Sequence, residues 1–174
     1  MSAPFLKVEI RADLIAKLAK ITSQDDMANE MRRVMDEQDE YTVGHVFTRY
    51  LSFPATGPTK PEGLRSITNR LRGALRAVPA FISKDGGVVG GLSNNVFYAK
   101  YHELGATIKP HDIVARNKKA LRWLGKGGKA VFAKKVHHPG AKLPARAPMQ
   151  RGIKDRLPQY VEAFSAAIQR LANN

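Results

Sequence analysis

The sequence predicts an α+β fold in which antiparallel β-hairpins, joined in a sheet, pack against N-terminal and C-terminal helices, with extended loop arms. Apolar residues recur at helical spacing near both ends of the chain, whereas the middle changes to a period of two and contains glycine-rich turns. With 174 residues, 43% of them apolar, the chain can form a core without metals or disulfides. We therefore expect one domain, 1–174, with a mainly helical part (1–53) and a basic α+β part (54–174).

The N-terminal part is expected to begin with a strand and continue with a helix. Apolar and charged side chains alternate from Leu6 to Ile10, which predicts a half-buried strand, although a helix beginning at Pro4 would also fit. Apolar residues then recur at helical spacing from Leu14 to Ile21. This pattern predicts a short amphipathic helix that ends near Thr22.

A second helix is predicted after Ser23, which has the spacing of a capping box with Asp26. Four apolar residues then share one helical face: Met27, Met31, Val34 and Met35. The pattern can continue through Val43 to Leu51, although Gly44 is a poor helix former. Pro54 ends the helix at the latest.

The middle of the chain changes from a loop to a helix and then to strands. Pro54–Gly63 is rich in proline and glycine, which indicates a loop or extended arm. The apolar spacing of Leu64–Val78 predicts a helix that Pro79 stops. From Phe81 to Leu92 the period approaches two, and the Lys84–Gly87 turn predicts a β-hairpin.

The last third contains a second predicted hairpin and a final helix. Ala120–Leu124 is expected to pair with Ala130–Val136 across the basic tip Gly125–Lys129. His137–Pro148 contains three prolines and reads as an extended loop. Residues 160–171 carry an apolar helical stripe, and Pro158 suits either the first turn of that helix or a kink in a longer one.

Positive charge is concentrated in one part of the chain. Residues 1–53 carry a net charge of −2, from 7 basic and 9 acidic residues, so the total of +14 leaves +16 for residues 54–174. From Ile113 to Lys154 there are 12 Lys and Arg and no Asp or Glu. Such a segment suits contact with a polyanion or an acidic protein, although a solvated surface is the simpler alternative. The candidate contact residues are Lys126, Lys129, Lys134 and Lys135.

The motifs that resemble enzyme signatures are incomplete, so no enzyme, cofactor or metal is predicted. The segment His102–Ala106 begins like the zinc motif H-E-x-x-H, but Ala106 replaces the second histidine. Gly127–Ala130 lacks the first glycine and the hydroxyl of a phosphate loop. His137 and His138 are neighbours that point to opposite sides of an extended chain, and there is no cysteine. No stretch approaches about 18 consecutive apolar residues, so no membrane contact is expected.

Three segments of the second half contain short motifs in a fixed order. The first is Gly57-Pro58 with Gly63–Arg72, the second is Asn95–Ala106, and the third runs from Ala120 to Val136 and closes on Pro144–Met149. Their order and spacing resemble the tail-completion, or neck, proteins of long-tailed bacteriophages, a family related to the virion morphogenesis proteins of Mu-like phages. The family has Thr-Gly-Arg-Leu-Arg, Tyr-Ala-x-x-x-Glu-x-Gly and Pro-Ala-Arg-Pro-Phe at these places. Here Asn69, Ala147 and Met149 depart from the pattern.

The resemblance implies a structural virion protein at the neck, assembled in the bacterial cytoplasm. It implies a homo-oligomeric ring, expected to be a hexamer, between the tail tube or terminator and the head connector or stopper. Genomic DNA would pass through the lumen without sequence-specific contact. The signature residues Tyr98, Tyr101, Glu103 and Gly105 would then be structural. Tyr98 and Tyr101 lie one helical turn apart, so we expect both rings to be buried on one face of a helix. The alternatives are a tail terminator or stopper ring of the same junction and, from another class, a free basic nucleic-acid-binding protein.

Overall fold

The fold was analysed in a computed structural model, which describes residues 5–12, 23–54, 63–116, 118–125 and 127–173. It contains helices and antiparallel sheets, as the sequence predicts for an α+β protein. The helices are α1 (Gln24–Tyr50), α2 (Arg70–Gly73), α3 (Ala99–Leu104) and α4 (Pro148–Ala172). The strands are β1 (Phe5–Ile10), β2 (Leu75–Ile82), β3 (Val88–Asn94), β4 (Ala106–Ile108), β5 (His111–Val114), β6 (Leu121–Leu124), β7 (Ala130–Ala133), β8 (Lys135–His138) and β9 (Ala141–Leu143).

The described residues outside 106–143 form what we call the body of the protein. Its sheet is three-stranded and antiparallel, in the order β1–β3–β2. Helix α1 packs on β2 and β3, and α4 packs along α1. The central strand approaches α1 closely at Gly90, where a Cβ would lie 2.4 Å from Asp39 Oδ2 and 2.5 Å from Met35 Cγ. A side chain at this position would push the helix away from the sheet.

Helix α1 confirms the prediction made from its cap and its apolar stripe. The Ser23 hydroxyl accepts a hydrogen bond from the Asp26 N–H at 3.1 Å, which satisfies one of the free donors of the first turn. The helix continues past Gly44 to Tyr50. Two clusters of buried residues lie along it, one around the methionines of its N-terminal half and one around Val46 and Tyr50. Tertiary packing therefore outweighs the poor helix propensity of the glycine.

The sequence allowed either a helix that begins near Pro158 or a longer helix with Pro158 inside it, and helix α4 is the longer one. It begins at Pro148, contains Pro158 in its interior and buries Tyr160 against α1. Strand β1 is also confirmed, which excludes the helical alternative for residues 5–10. The structure likewise contains the two predicted hairpins, β2–β3 around Ser83–Gly87 and β6–β7, but the second is shorter than predicted because Lys135 and Val136 pair with β5.

The predicted helix over Leu64–Val78 is wrong, because only Arg70–Gly73 is helical and strand β2 begins at Leu75. Residues 75–78 pair with β3 instead, and the ladder shifts register between Val78 and Phe81. Pro79 lies in this irregularity, where its missing N–H breaks no ladder bond. The Ala80 N–H also leaves the ladder and donates to Asp36 Oδ1 on α1 at 2.6 Å.

The predicted loop over His137–Pro148 is wrong in part, because it contains the end of β8 and the whole of β9. The residues are extended, as expected, but they pair with strands that precede the second hairpin. The predicted helix from Leu14 to Thr22 and most of the predicted loop Pro54–Gly63 lie outside the described residues. Among the described helices, none combines the length and the apolar character needed to cross a membrane.

Candidate interaction site: a basic β-arm and its root

The described residues between 106 and 143 form a two-stranded antiparallel structure, and we call the segment 106–143 the arm. It consists of three nested strand pairs, β4 with β9, β5 with β8, and β6 with β7. The outermost pair joins Ala106 to Leu143 and the innermost pair joins Leu124 to Ala130. The sequence predicted only the innermost pair, so the arm is about three times as long as the expected hairpin.

The arm makes few contacts with the rest of the described protein. Its strands pack mainly on their own partners, and no described residue of the arm is buried. An isolated pair of strands is at best marginally stable in water. Several large apolar side chains of the arm are exposed: Ile108, Ile113, Val114, Trp123, Leu124, Val131 and Phe132. The described structure thus leaves the apolar surface of the arm without a covering partner.

The strands β6 and β7, which flank the basic turn Gly125–Lys129 and which we call the apolar tip of the arm, present apolar side chains on both faces. Side chains directly opposite each other in an antiparallel pair lie on the same face of the ribbon. The pairs Leu121 with Ala133 and Trp123 with Val131 form one face of the tip. The pairs Arg122 with Phe132 and Leu124 with Ala130 form the other. Sequence reasoning missed this feature, although the runs Leu-Arg-Trp-Leu and Ala-Val-Phe-Ala contain little polar alternation.

The arm is also strongly positive. Residues 106–143 contain 10 Lys and Arg but only one acidic residue, Asp112, which gives a net charge of +9. Of the predicted contact residues, Lys129 and Lys134 are exposed and form no ion pair with a described residue. Lys135 donates to Asp112 Oδ2 at 2.7 Å and is less available. Lys126 lies outside the described residues.

Asp112 on β5 bonds to two side chains of β8 across the ribbon. Its carboxylate contacts the Lys135 ammonium and His137 Nδ1, and these hydrogen bonds lower the pKa of Asp112 below its usual range. On the other face of the ribbon His111 stacks on His138, with 5.0 Å between ring centroids. The neighbouring histidines 137 and 138 therefore have separate partners. No group of three or more metal-binding side chains occurs among the described residues.

The two ends of the arm meet at a root where α3 and α4 come together. The backbone N–H groups of Arg146 and Ala147 both donate to the His102 carbonyl, at 2.8 and 2.9 Å. The Arg146 guanidinium donates to the Gly63 carbonyl at 2.6 Å. These bonds hold the chain that leaves the arm against the helix that precedes it.

Gly105 makes the close approach of the two chains possible. It ends α3 with φ +73°, a backbone conformation that favours glycine, and ψ 173° then turns the chain into β4. A Cβ at this position would lie 2.9 Å from the Leu143 carbonyl oxygen and 3.0 Å from the Ala145 nitrogen. A larger residue would therefore separate the ends of the arm.

Glu103 caps the helix that follows the arm. It is buried, and its Oε1 accepts a hydrogen bond from the Met149 N–H at 2.8 Å in the first turn of α4. Burial raises the pKa of Glu103, while hydrogen bonds from the backbone of Met149 and Gln150 oppose that rise. The carboxylate supplies the acceptor that the N-cap residue Ala147 lacks. The second and third sequence motifs are thereby joined.

Tyr98 and Tyr101 are placed differently from what the sequence predicted. Tyr98 is half-buried, with its ring edge to His102 at a centroid distance of 6.0 Å. Tyr101 is 39% exposed and has the Lys100 ammonium 5.0 Å from its ring centre. The inward positions of the short helix α3 are Ala99 and Glu103, so the expected burial of Tyr101 is wrong.

Comparison with known proteins returned no family whose sequence profile matches the chain. No curated protein and no solved structure matches it either. The arm, its charge and its root are thus the features from which function is inferred.

Proposed function

We propose that the protein is a structural subunit of the neck of a long-tailed bacteriophage, a tail-completion ring that joins the tail to the head connector around the DNA channel. The observation that carries the proposal is the arm, a basic ribbon with exposed apolar side chains and no covering partner in the described structure. The order of the sequence motifs supports the same class. The role needs interfaces and no catalytic group.

The arm is suited to reach a neighbouring subunit. From Ala106 to Leu124 it contains 19 residues, so its length is at most about 60 Å if fully extended. When such an arm binds a different surface on an identical subunit, the contact is heterologous and repeats around a closed ring if the rotation permits. The exposed apolar tip would be covered in this contact, which supplies the stability that the isolated ribbon lacks.

The root gives the arm a fixed direction. Glu103 ties α3 to the start of α4, and the two N–H bonds to the His102 carbonyl tie the end of the arm to the same helix. An arm anchored at both ends to the body loses less conformational freedom on binding than a free tail would. We assign Glu103 and Gly105 to this anchoring task.

The partners of the ring follow from the same proposal. The tail tube or terminator would bind one side, and the head connector or stopper the other. The basic residues Lys129 and Lys134 would face either the DNA of the lumen or an acidic partner ring. The proteins on either side of the ring in the particle determine whether it is the completion ring, the terminator or the stopper.

Electron-microscopy class averages and mass measurement of the purified full chain test the proposal. We expect a closed ring with a central hole, alone or after addition of tail tubes. Trp123→Ser with Phe132→Ser should reduce the ring to smaller species, because these exposed aromatic side chains lie at the tip of the arm. Phe97→Ser is the matched control, since Phe97 is an exposed aromatic residue outside the arm.

Two results would contradict the proposal. One is a protein that stays monomeric both alone and in the presence of tails and connectors, and that is absent from purified particles. The other is a protein that assembles with neither tails nor connectors and binds DNA as a monomer, which would favour the free nucleic-acid-binding class that the charge of the arm also suits; DNA affinity of a subunit that does assemble does not contradict the proposal.

A further inference from the structure

A second basic surface lies on the body of the protein. Two adjoining depressions, with volumes of about 1010 and 350 Å³, share the residues Thr68, Asn69, Arg70 and Tyr98. Arg76 and Asn95 line the larger depression, and Arg72 lines the smaller one. We call this surface the arginine groove. It lies at the end of the sheet where β2 begins and β3 ends.

Arg70 and Arg76 give the groove positive charge that no described carboxylate neutralises. Among the described residues, no Asp or Glu lines either depression. Residues 63–84 contain five Lys and Arg and no acidic residue. Arg70 and Arg76 are exposed, and neither forms an ion pair with a described residue. Surfaces of ordinary soluble domains mix both signs of charge, so an acid-free groove of this size indicates an anionic ligand.

Several contacts hold the walls of the groove in place. The Arg72 guanidinium lies 4.0 Å from the ring centre of Phe47 and donates to Ser52 Oγ at 3.3 Å. The Asn94 amide donates to the Leu71 carbonyl at 2.7 Å, which ties β3 to the opposite wall. The backbone walls that carry Arg70 and Arg76 are therefore preorganised, so binding needs ordering of these two side chains but little ordering of the backbone.

We infer that the arginine groove binds the phosphodiester backbone of duplex DNA. Guanidinium groups match phosphate oxygens in geometry, and neutral donors such as the Asn95 amide and the Tyr98 hydroxyl can add hydrogen bonds. The groove is open and much larger than one phosphate ion, which suits several phosphates along a strand. Contacts of this kind fix position on the duplex without reading its sequence.

This inference goes beyond the proposed ring, because it assigns a DNA contact to the body that is separate from any contact made by the arm. It can also be tested separately, since a purified subunit would bind DNA whether or not it forms a ring. A protein that does not bind DNA could still form the ring, and a protein that forms no ring could still bind DNA through the groove, so the two tests can fail separately.

The experiment is a salt titration of the affinity of the full chain for a fluorescently labelled duplex. Each neutralised phosphate contributes about 0.9 to the slope of log K against log salt. Arg76→Gln should reduce the slope by about 0.9, and Arg70→Gln with Arg76→Gln by about 1.8. The matched control is Lys84→Gln, which removes one charge at the opposite end of β2, about 25 Å away in an extended strand. We expect the control to keep the slope of the unmodified protein.

Three outcomes would overturn the inference. An equal loss of slope in Arg76→Gln and Lys84→Gln would show that only the general field of the protein attracts DNA. An unchanged slope in the double variant would show that the groove does not touch phosphates. Strong competition by inorganic phosphate at constant ionic strength would identify a small-anion pocket instead of a duplex surface. A melting curve for each variant checks that the fold is intact.

Discussion

The body and the arm distribute apolar residues in opposite ways. In the body, β3 is buried along nearly its whole length between two strands and under α1. In the arm, no described residue is buried, and the largest apolar side chains of the tip face solvent. The comparison indicates that the body is stabilised by its own core, whereas the arm has no core of its own among the described residues, and we propose that a partner completes it.

A matched pair of leucine truncations tests this difference most directly. Leu92 on β3 is 0% exposed, whereas Leu124 at the tip of the arm is 67% exposed. We expect Leu92→Ala to lower the free energy of unfolding by about 3 kcal/mol, through lost burial and the cavity that remains. Leu124→Ala should change it by no more than about 0.5 kcal/mol. Urea unfolding measures both, and similar costs for the two variants would contradict the distinction.

A buried carboxyl in the body makes stability depend on pH. Burial raises the pKa of Asp39 from 3.8 to about 6, although the Tyr160 hydroxyl donates to it at 2.5 Å. The folded state keeps this proton at higher pH than the unfolded state does. The resulting stability is therefore fully present below pH 3.8 and is lost as the pH rises through about 6.

Asp39→Asn should remove this dependence. The amide oxygen can still accept from Tyr160 and carries no charge, so we expect a gain of about 2 to 3 kcal/mol at pH 7.5 and almost none at pH 3.5. Urea unfolding at the two pH values measures the difference. Glu162→Gln, at an exposed position on α4, serves as the control. The same gain at both pH values would show that the carboxyl is not the cause.

Elements with local sequence signals were predicted correctly, whereas elements that depend on distant residues were not. Helix α1 was predictable because its cap and its apolar stripe are local, and the β2–β3 and β6–β7 hairpins because their turns contain glycine. Leu64–Val78 was assigned to a helix because its apolar spacing fits one, yet β2 is stabilised by non-local pairing with β3. Secondary structure at such positions is determined by tertiary contacts.

The candidate sites show a similar limit. The basic segment was visible in the sequence, but the length of the arm could not be predicted. The pairs β4–β9 and β5–β8 join residues up to 37 positions apart. The arginine groove combines a segment misassigned to a helix with the turn at Asn95, and it was missed for that reason. The role of Glu103 as a cap depends on a helix 45 residues further along the chain.

Removal of the Glu103 carboxylate tests how firmly the root holds the arm. Glu103→Ala leaves the Met149 N–H of α4 without its acceptor, and we expect a loss of about 1 to 2 kcal/mol. Glu103→Gln retains an acceptor and should lose less. Glu162→Ala, on the exposed face of the same helix, should be nearly neutral. Thermal unfolding ranks the three variants, and a neutral Glu103→Ala would mean that the cap contributes little.

Neutralisation of the arm should have the smallest effect on stability and a large effect on assembly. The variant replaces Lys126, Lys129, Lys134 and Lys135 with Gln. Exposed charges add little to folding. The variant loses the ion pair between Lys135 and Asp112, but Asp112 remains bound to His137. We expect an unchanged melting temperature together with fewer assembled rings and fewer infectious particles.

Exposed lysines of the body serve as the control for the arm variant. Lys7→Gln with Lys84→Gln removes exposed charges outside the arm and should leave assembly intact. If the arm lysines contact an acidic partner, added salt should weaken rings of the unmodified protein more than rings of the arm variant, because the screened attraction is already absent from the variant. Normal infectivity and an equal response to salt would show that the charge of the arm is only solvated. The apolar tip would then be the whole of its interface.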